Sequence, residues 1–142
     1  MNEHVLLIQR SLELCANLAG DINETVYQRF YQRSPDAEPL MAYTDQYMRG
    51  RMLDGVFKLL MEGIASDEGD YLHWEVENHI NAYGVGTAMY RPLLQAVMDT
   101  VRDALADQWN AEFQSAWELE INQLVERAQH HAATLGKHPV AG

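Results

Sequence analysis

Apolar residues recur along this chain at intervals of three and four, the period of an amphipathic helix. Over about 45–64, Met48, Met52, Leu53, Val56, Phe57, Leu60 and Ile64 trace one broad face. The same period runs over about 3–18 through Val5, Leu6, Ile8, Leu12 and Cys15, and over about 21–33 through Ile22, Val26, Tyr27 and Phe30. It returns over about 88–106 in Tyr90, Leu94, Val97, Met98, Val101 and Leu105. A final stretch, about 110–133, carries Phe113, Trp117, Ile121, Leu124, Val125 and Ala128. A shorter helix fits about 70–81. No segment alternates β-branched and polar residues as a half-buried strand does. The pattern predicts an all-α protein.

Four clusters of turn residues interrupt the pattern: Gly20-Asp21, Ser34-Pro35-Asp36 through Pro39, Ser66 through Asp70, and Gly84 through Thr87. Gly136 and Pro139 supply a stop to the last helix. Pro92 should fall in the first turn of its helix, where a missing N–H costs least. The Pro-rich stretch 34–44 reads as a tight corner with one helical turn. No repeat or linker breaks the chain, so one domain is expected over 1–133, followed by a flexible tail over 134–142.

Composition narrows the function classes. At 142 residues and 47% apolar, the chain can bury a real core without staples. The single cysteine, Cys15, excludes an internal disulfide framework and any cysteine-clustered zinc or iron–sulfur site. A net charge of −11 argues against nucleic acid and against a polybasic membrane surface as partners. No apolar run approaches the ~20 residues needed to span a bilayer. The opening Met1-Asn-Glu-His lacks the features of a signal peptide, so a cytoplasmic protein is expected. Phosphate-binding glycine loops, H-E-x-x-H and G-x-S-x-G are absent. The carboxylate pairs Asp67/Glu68 and Glu118/Glu120 read as solvated surface charge; His130, His131 and His138 could bind a metal but read more readily as solvent-facing polarity.

The informative stretch is Asn78-His79-Ile80-Asn81-Ala82-Tyr83-Gly84-Val85-Gly86. A histidine near the end of a short helix, before a glycine-rich turn, suits an axial ligand of haem iron. Taken alone, such a histidine is more often a capping or partly buried polar residue. Its neighbours add an ordered set. Val26-Tyr27-Gln28-Arg29-Phe30-Tyr31 precedes Ser34-Pro35-Asp36, then come Thr44-Asp45 and Met52-Leu53, the H-I-N-A-Y-G-V turn, and a last helix with Ala116-Trp117. In that order, over about residues 5–128, the chain resembles the globin family, especially its bacterial single-domain and sensor-type members.

The resemblance implies a globin-like bundle of about six to eight helices that binds haem b. It matches His79 to the proximal histidine that holds the iron, and Tyr27 to a distal position whose hydroxyl donates to an iron-bound diatomic gas. Arg49 and Leu53 match polar and apolar distal positions, and Val85 an apolar residue at the haem edge. Leu94, Val97, Met98, Ile121 and Leu124 would form the back of the pocket. Two departures stand out. Met41 occupies the place where globins stack a phenylalanine on the haem, with Tyr43 as the alternative. Gly84 follows His79 by five residues where the family has four. Arg49 and Arg51 are candidates to pair with haem propionates. The implied function is binding of oxygen, nitric oxide or carbon monoxide for sensing, scavenging or redox use. Two rival readings are a nitric-oxide dioxygenase or weak peroxidase served by a separate reductase, and a globin-fold regulatory module without haem that meets a signalling partner.

Overall fold

A computed structural model describes residues 3–63, 72, 75, 76, 78 and 87–136. It is helical, with no strand among the described residues. The helices are α1 (Glu3–Ala19), α2 (Asn23–Arg33), α3 (Ala37–Met41), α4 (Gln46–Glu62), α5 (Tyr90–Leu105) and α6 (Ala111–Gly136). Short 3-10 turns, Thr87–Met89 and Ala106–Gln108, lead into α5 and out of it. Of the helix expected over about 70–81, Leu72, Glu75, Val76 and Asn78 are helical, and the rest lies outside the described residues. Among the described residues no helix is long and apolar enough to cross a membrane.

The boundaries have local causes. Asp45 caps α4, its carboxylate accepting from the Met48 amide at 2.8 Å. Asn110 does the same for α6, accepting from the Phe113 amide at 2.9 Å. The corner between α2 and α4 holds a single short helix, α3, as its prolines require. The last helix continues to Gly136, so residues 134–136 of the expected tail are helical, while 137–142 lie outside the described residues.

α4 ends earlier than its apolar period suggested, at Gly63, whose φ is +83° and whose amide donates to the Leu59 carbonyl at 2.9 Å. A Cβ there would lie 2.6 Å from Val5 Cγ2 on α1. Glycine thus allows both the positive φ and the close approach of α4 to α1. Gly63→Ala should cost about 2 kcal/mol, since strain at such a backbone position runs to about 1–3 kcal/mol. Denaturant unfolding checks this. Adding Val5→Ala should relieve the contact but leave the backbone penalty, so full rescue by the double variant would refute the φ argument.

The core is built by α1 against α6, α2 against α5, and both long C-terminal helices against each other. Two ion pairs tie α2 to α5. Arg29 meets Asp103 at 2.6 Å, and Arg33 bonds the buried Asp99, which Arg102 also approaches at 3.3 Å. α1 is tied to α6 by Trp117, whose indole N–H donates to Ser11 Oγ at 2.8 Å, and by His4, which bonds Glu120 at 2.7 Å. Glu120 is fully buried, a correction to its reading as surface charge, whereas its neighbour Glu118 is exposed. The helix phase explains both. Phe113, Trp117, Ile121, Leu124 and Ala128 form the inward stripe, and Glu120 stands three residues after Trp117 within it.

Candidate functional site

The chain encloses an apolar cavity where α2, α3, α4 and α5 converge over α6. It holds about 860 Å³ of atom-free space, part of it open to solvent. Tyr27 and Phe30 come from α2, Ala37, Leu40 and Met41 from α3, and Met52, Val56 and Leu59 from α4. Leu72 and Glu75 add one wall; Met89, Tyr90, Leu93, Leu94 and Leu124 complete the lining.

Four of the residues expected from the sequence meet here: Tyr27, Met41, Leu94 and Leu124. Met41 is buried at the corner, at the position matched to the haem-stacking residue. The remainder fall elsewhere. Tyr43, the alternative to Met41, is 94% exposed, and Arg51 is exposed as well. Arg49 is half-buried, but its guanidinium donates to the Thr44 carbonyl at 2.7 Å and to Thr44 Oγ1 at 3.1 Å, bracing the start of α4. Leu53, Met98 and Ile121 are buried core residues outside the cavity lining. His79 and Val85 lie outside the described residues.

The difference on α4 is one of stripe. Arg49 and Leu53 share one line of the helix, while Met52, Val56 and Leu59 share the neighbouring one. Leu53 and Leu60 are fully buried, and α4 packs on α1. Met52, Val56 and Leu59 face the cavity. Both stripes are apolar in sequence, so periodicity alone does not say which faces a cavity.

Among the described residues, the polar groups that line the cavity are two phenols and one carboxylate. The Tyr27 hydroxyl donates to the Arg49 carbonyl at 3.0 Å, linking α2 to α4. Burial pushes the Tyr27 phenol well above its ordinary pKa; the neighbouring Tyr31 adds to the shift and Arg49 opposes it. Tyr90 is raised in the same way, by burial first and by the negative charge of Glu75 second. Both phenols therefore stay protonated across the physiological range. Tyr27, Phe30 and Tyr31 form an aromatic group with ring centroids 5.9–6.4 Å apart.

The described lining is mostly apolar and suits an apolar ligand better than a polar metabolite. The space open to a water-sized molecule inside the cavity is about 100 Å³, smaller than the roughly 300–1,000 Å³ usual for cofactor sites. Methionines at 41, 52 and 89 add adaptable apolar surface. Among the described residues no group of three or more His, Cys, Asp or Glu is arranged to hold an ion by itself. Leu72, Glu75, Met89, Tyr90 and Leu93 were not singled out in sequence. Tyr90 and Leu72 carried the available signal, a tyrosine at the start of an apolar helix and an isolated leucine in a polar stretch.

A second, more open cavity lies between the end of α1, the turn at Gly20 and α4, with Cys15, Phe57 and Met61 in its wall. Burial raises the Cys15 thiol above its ordinary pKa, as expected for a small buried hydrophobe. No protein-family model matches the chain, and no curated protein matches it.

Proposed function

We propose that this chain is a globin-like haem protein that takes haem b into the cavity between α2, α3, α4 and α5. The observation that carries this reading is the apolar cavity itself, which Tyr27, Met41 and Leu94 line as the resemblance to globins implies. The short α3 in the corner before α4 and two long C-terminal helices also suit a globin-like order. His79 would hold the iron, and Met41, Val56, Leu94 and Leu124 would pack on the macrocycle. When bound, haem supplies an iron that takes oxygen, nitric oxide or carbon monoxide and exchanges single electrons.

The chain's own part is to keep the cofactor dry and to choose what reaches it. Met52 and Val56, rather than Arg49 and Leu53, stand on the α4 side of the cavity. Tyr27 has its proton on the Arg49 carbonyl. To donate to a gas in the cavity it must leave that carbonyl, a net cost of about 1 kcal/mol. Gas retention thus depends on a competition between α4 and the ligand for one hydroxyl. Sensing, scavenging or redox use all fit such a site, the last with a separate reductase.

Absorption spectra of the purified protein test the proposal, taken ferric, dithionite-reduced and with carbon monoxide, after incubation with haem where needed. A Soret band that shifts with carbon monoxide is expected. His79→Ala should weaken or alter it, and Val56→Trp, which fills the cavity, should lower haem uptake. A visible spectrum that added haem leaves featureless would overturn the reading and leave a haem-free regulatory module in its place.

A further inference from the structure

The second cavity, between the end of α1, the Gly20 turn and α4, lies on the far side of α4 from the first. Asp54, Phe57 and Met61 recur at three and four along that helix, opposite the stripe of Met52, Val56 and Leu59, and the two cavities share no lining residue. About 350 Å³ of it is open to a water-sized molecule, within the roughly 300–1,000 Å³ usual for small-molecule sites. Leu12 and Cys15 of α1, Ile22 of the turn, and Phe57 and Met61 of α4 give it an apolar floor, and all five are buried or half-buried. A Cβ at Gly20 would meet nothing within 4 Å, so the turn leaves room on its side.

The charged part of the wall is acidic. Asp21 and Asp54 both line the cavity and both are exposed, so their carboxylates stand where it meets water. One oxygen of Asp21 accepts from the Asn23 amide at 2.8 Å, which fixes this carboxylate beside the start of α2. Among the described residues neither carboxylate is in an ion pair, and no Lys or Arg lines the cavity. Lys58, one turn on from Asp54, is exposed and outside the lining. An apolar floor with two carboxylates at its edge complements a molecule with an apolar body and one positive end. A neutral analogue forgoes the charge-assisted hydrogen bonds, and an anion meets repulsion.

The geometry points to a binding site for a small organic cation, a free amine with an aromatic or aliphatic body. The body lies on Phe57 and Met61, and the ammonium turns towards the Asp21 and Asp54 carboxylates. The site is independent of the haem reading, since it lies on the opposite face of α4.

The test is a nuclear magnetic resonance titration of the isotope-labelled full chain with phenethylamine. Phenethyl alcohol and hydrocinnamate serve as its neutral and anionic matches. Phenethylamine should give saturable shifts at the amides of residues 20–23 and 54–61. The alcohol should bind about tenfold more weakly, the loss expected for one charge-assisted hydrogen bond. Hydrocinnamate should give no saturable shift. Asp21→Asn combined with Asp54→Asn should lower the amine to the affinity of the alcohol. Ala16→Trp, at an exposed position of the cavity wall, should block both. Equal affinity for amine and alcohol would overturn the inference. So would amine shifts that spread over the acidic surface and persist in Ala16→Trp. The ligand comparison uses the unsubstituted chain, so a variant that fails to fold leaves the test standing.

Discussion

Trp117→Ala should lower the free energy of unfolding by about 3–5 kcal/mol, the usual cost of truncating a fully buried large aromatic. Trp117 is 0% exposed and stands in α6 where that helix meets α1. Its removal leaves a void that close-packed neighbours fill only in part. It also strips a donor from Ser11 Oγ, which accepts from the indole at 2.8 Å while its own proton goes to the Ile8 carbonyl at 2.7 Å. Single domains are stable by only about 5–15 kcal/mol, so this one change should remove a large part of the margin. Urea unfolding followed by far-ultraviolet circular dichroism gives the measurement, since tryptophan fluorescence changes with the substitution itself. Trp117→Phe separates the two contributions by keeping most of the volume without the N–H. A loss below 1 kcal/mol for the alanine variant would show that α1 and α6 are not held together there.

The second large effect is expected at the other α1–α6 link. Glu120 is 0% exposed, and His4 Nε2 lies 2.7 Å from its carboxylate. Removing the histidine takes one hydrogen bond from a buried carboxylate, which typically costs about 1–3 kcal/mol. His4→Ala should cost about 2 kcal/mol, because His4 retains 15% exposure and water can replace part of what it supplied. Glu120→Gln should cost less than His4→Ala, since the amide oxygen can still accept and no charge stays buried. Amide hydrogen exchange gives a local readout: in His4→Ala the first turns of α1 should exchange faster than the middle of α5. Equal protection in α1 with and without His4 would remove this link from the account of the fold.

Both predictions join the first helix to the last, and neither contact was visible as a contact in sequence. Trp117 was read as an apolar position on its helix face, which it is. Glu120 was read as surface charge because glutamate is seldom fully buried. Its place three residues after Trp117 and four before Leu124 put it on the inward stripe. Helix phase outweighs residue type at this position because His4 bonds the buried carboxylate.

The candidate site divides in a similar way. Tyr27, Met41, Leu94 and Leu124 follow from the ordered resemblance, and all four line the cavity. Arg49 and Leu53 were set one stripe away from the residues of α4 that face the cavity, Met52, Val56 and Leu59. Six of the apolar positions read on that face, from Met48 to Leu60, lie on α4 and make it wide enough to serve two neighbours. Only the packing of α4 against α1 assigns one stripe to the core and leaves the other to the cavity. Arg49 was judged by its charge, but its reach to Thr44 makes it a brace of its own helix start.

The sequence by itself determined that the chain is helical, roughly where its helices lie, and that a Pro-rich corner separates α2 from α4. Those properties follow from interactions within a few residues: the 3.6-residue period, the glycines and prolines, and the caps at Asp45 and Asn110. The tertiary structure alone decided which apolar stripe of α4 faces a cavity, that Glu120 is buried against His4, and that Glu75 shares a wall with Tyr90. Each of those depends on residues far apart in the chain, and a helix face does not encode what will pack against it.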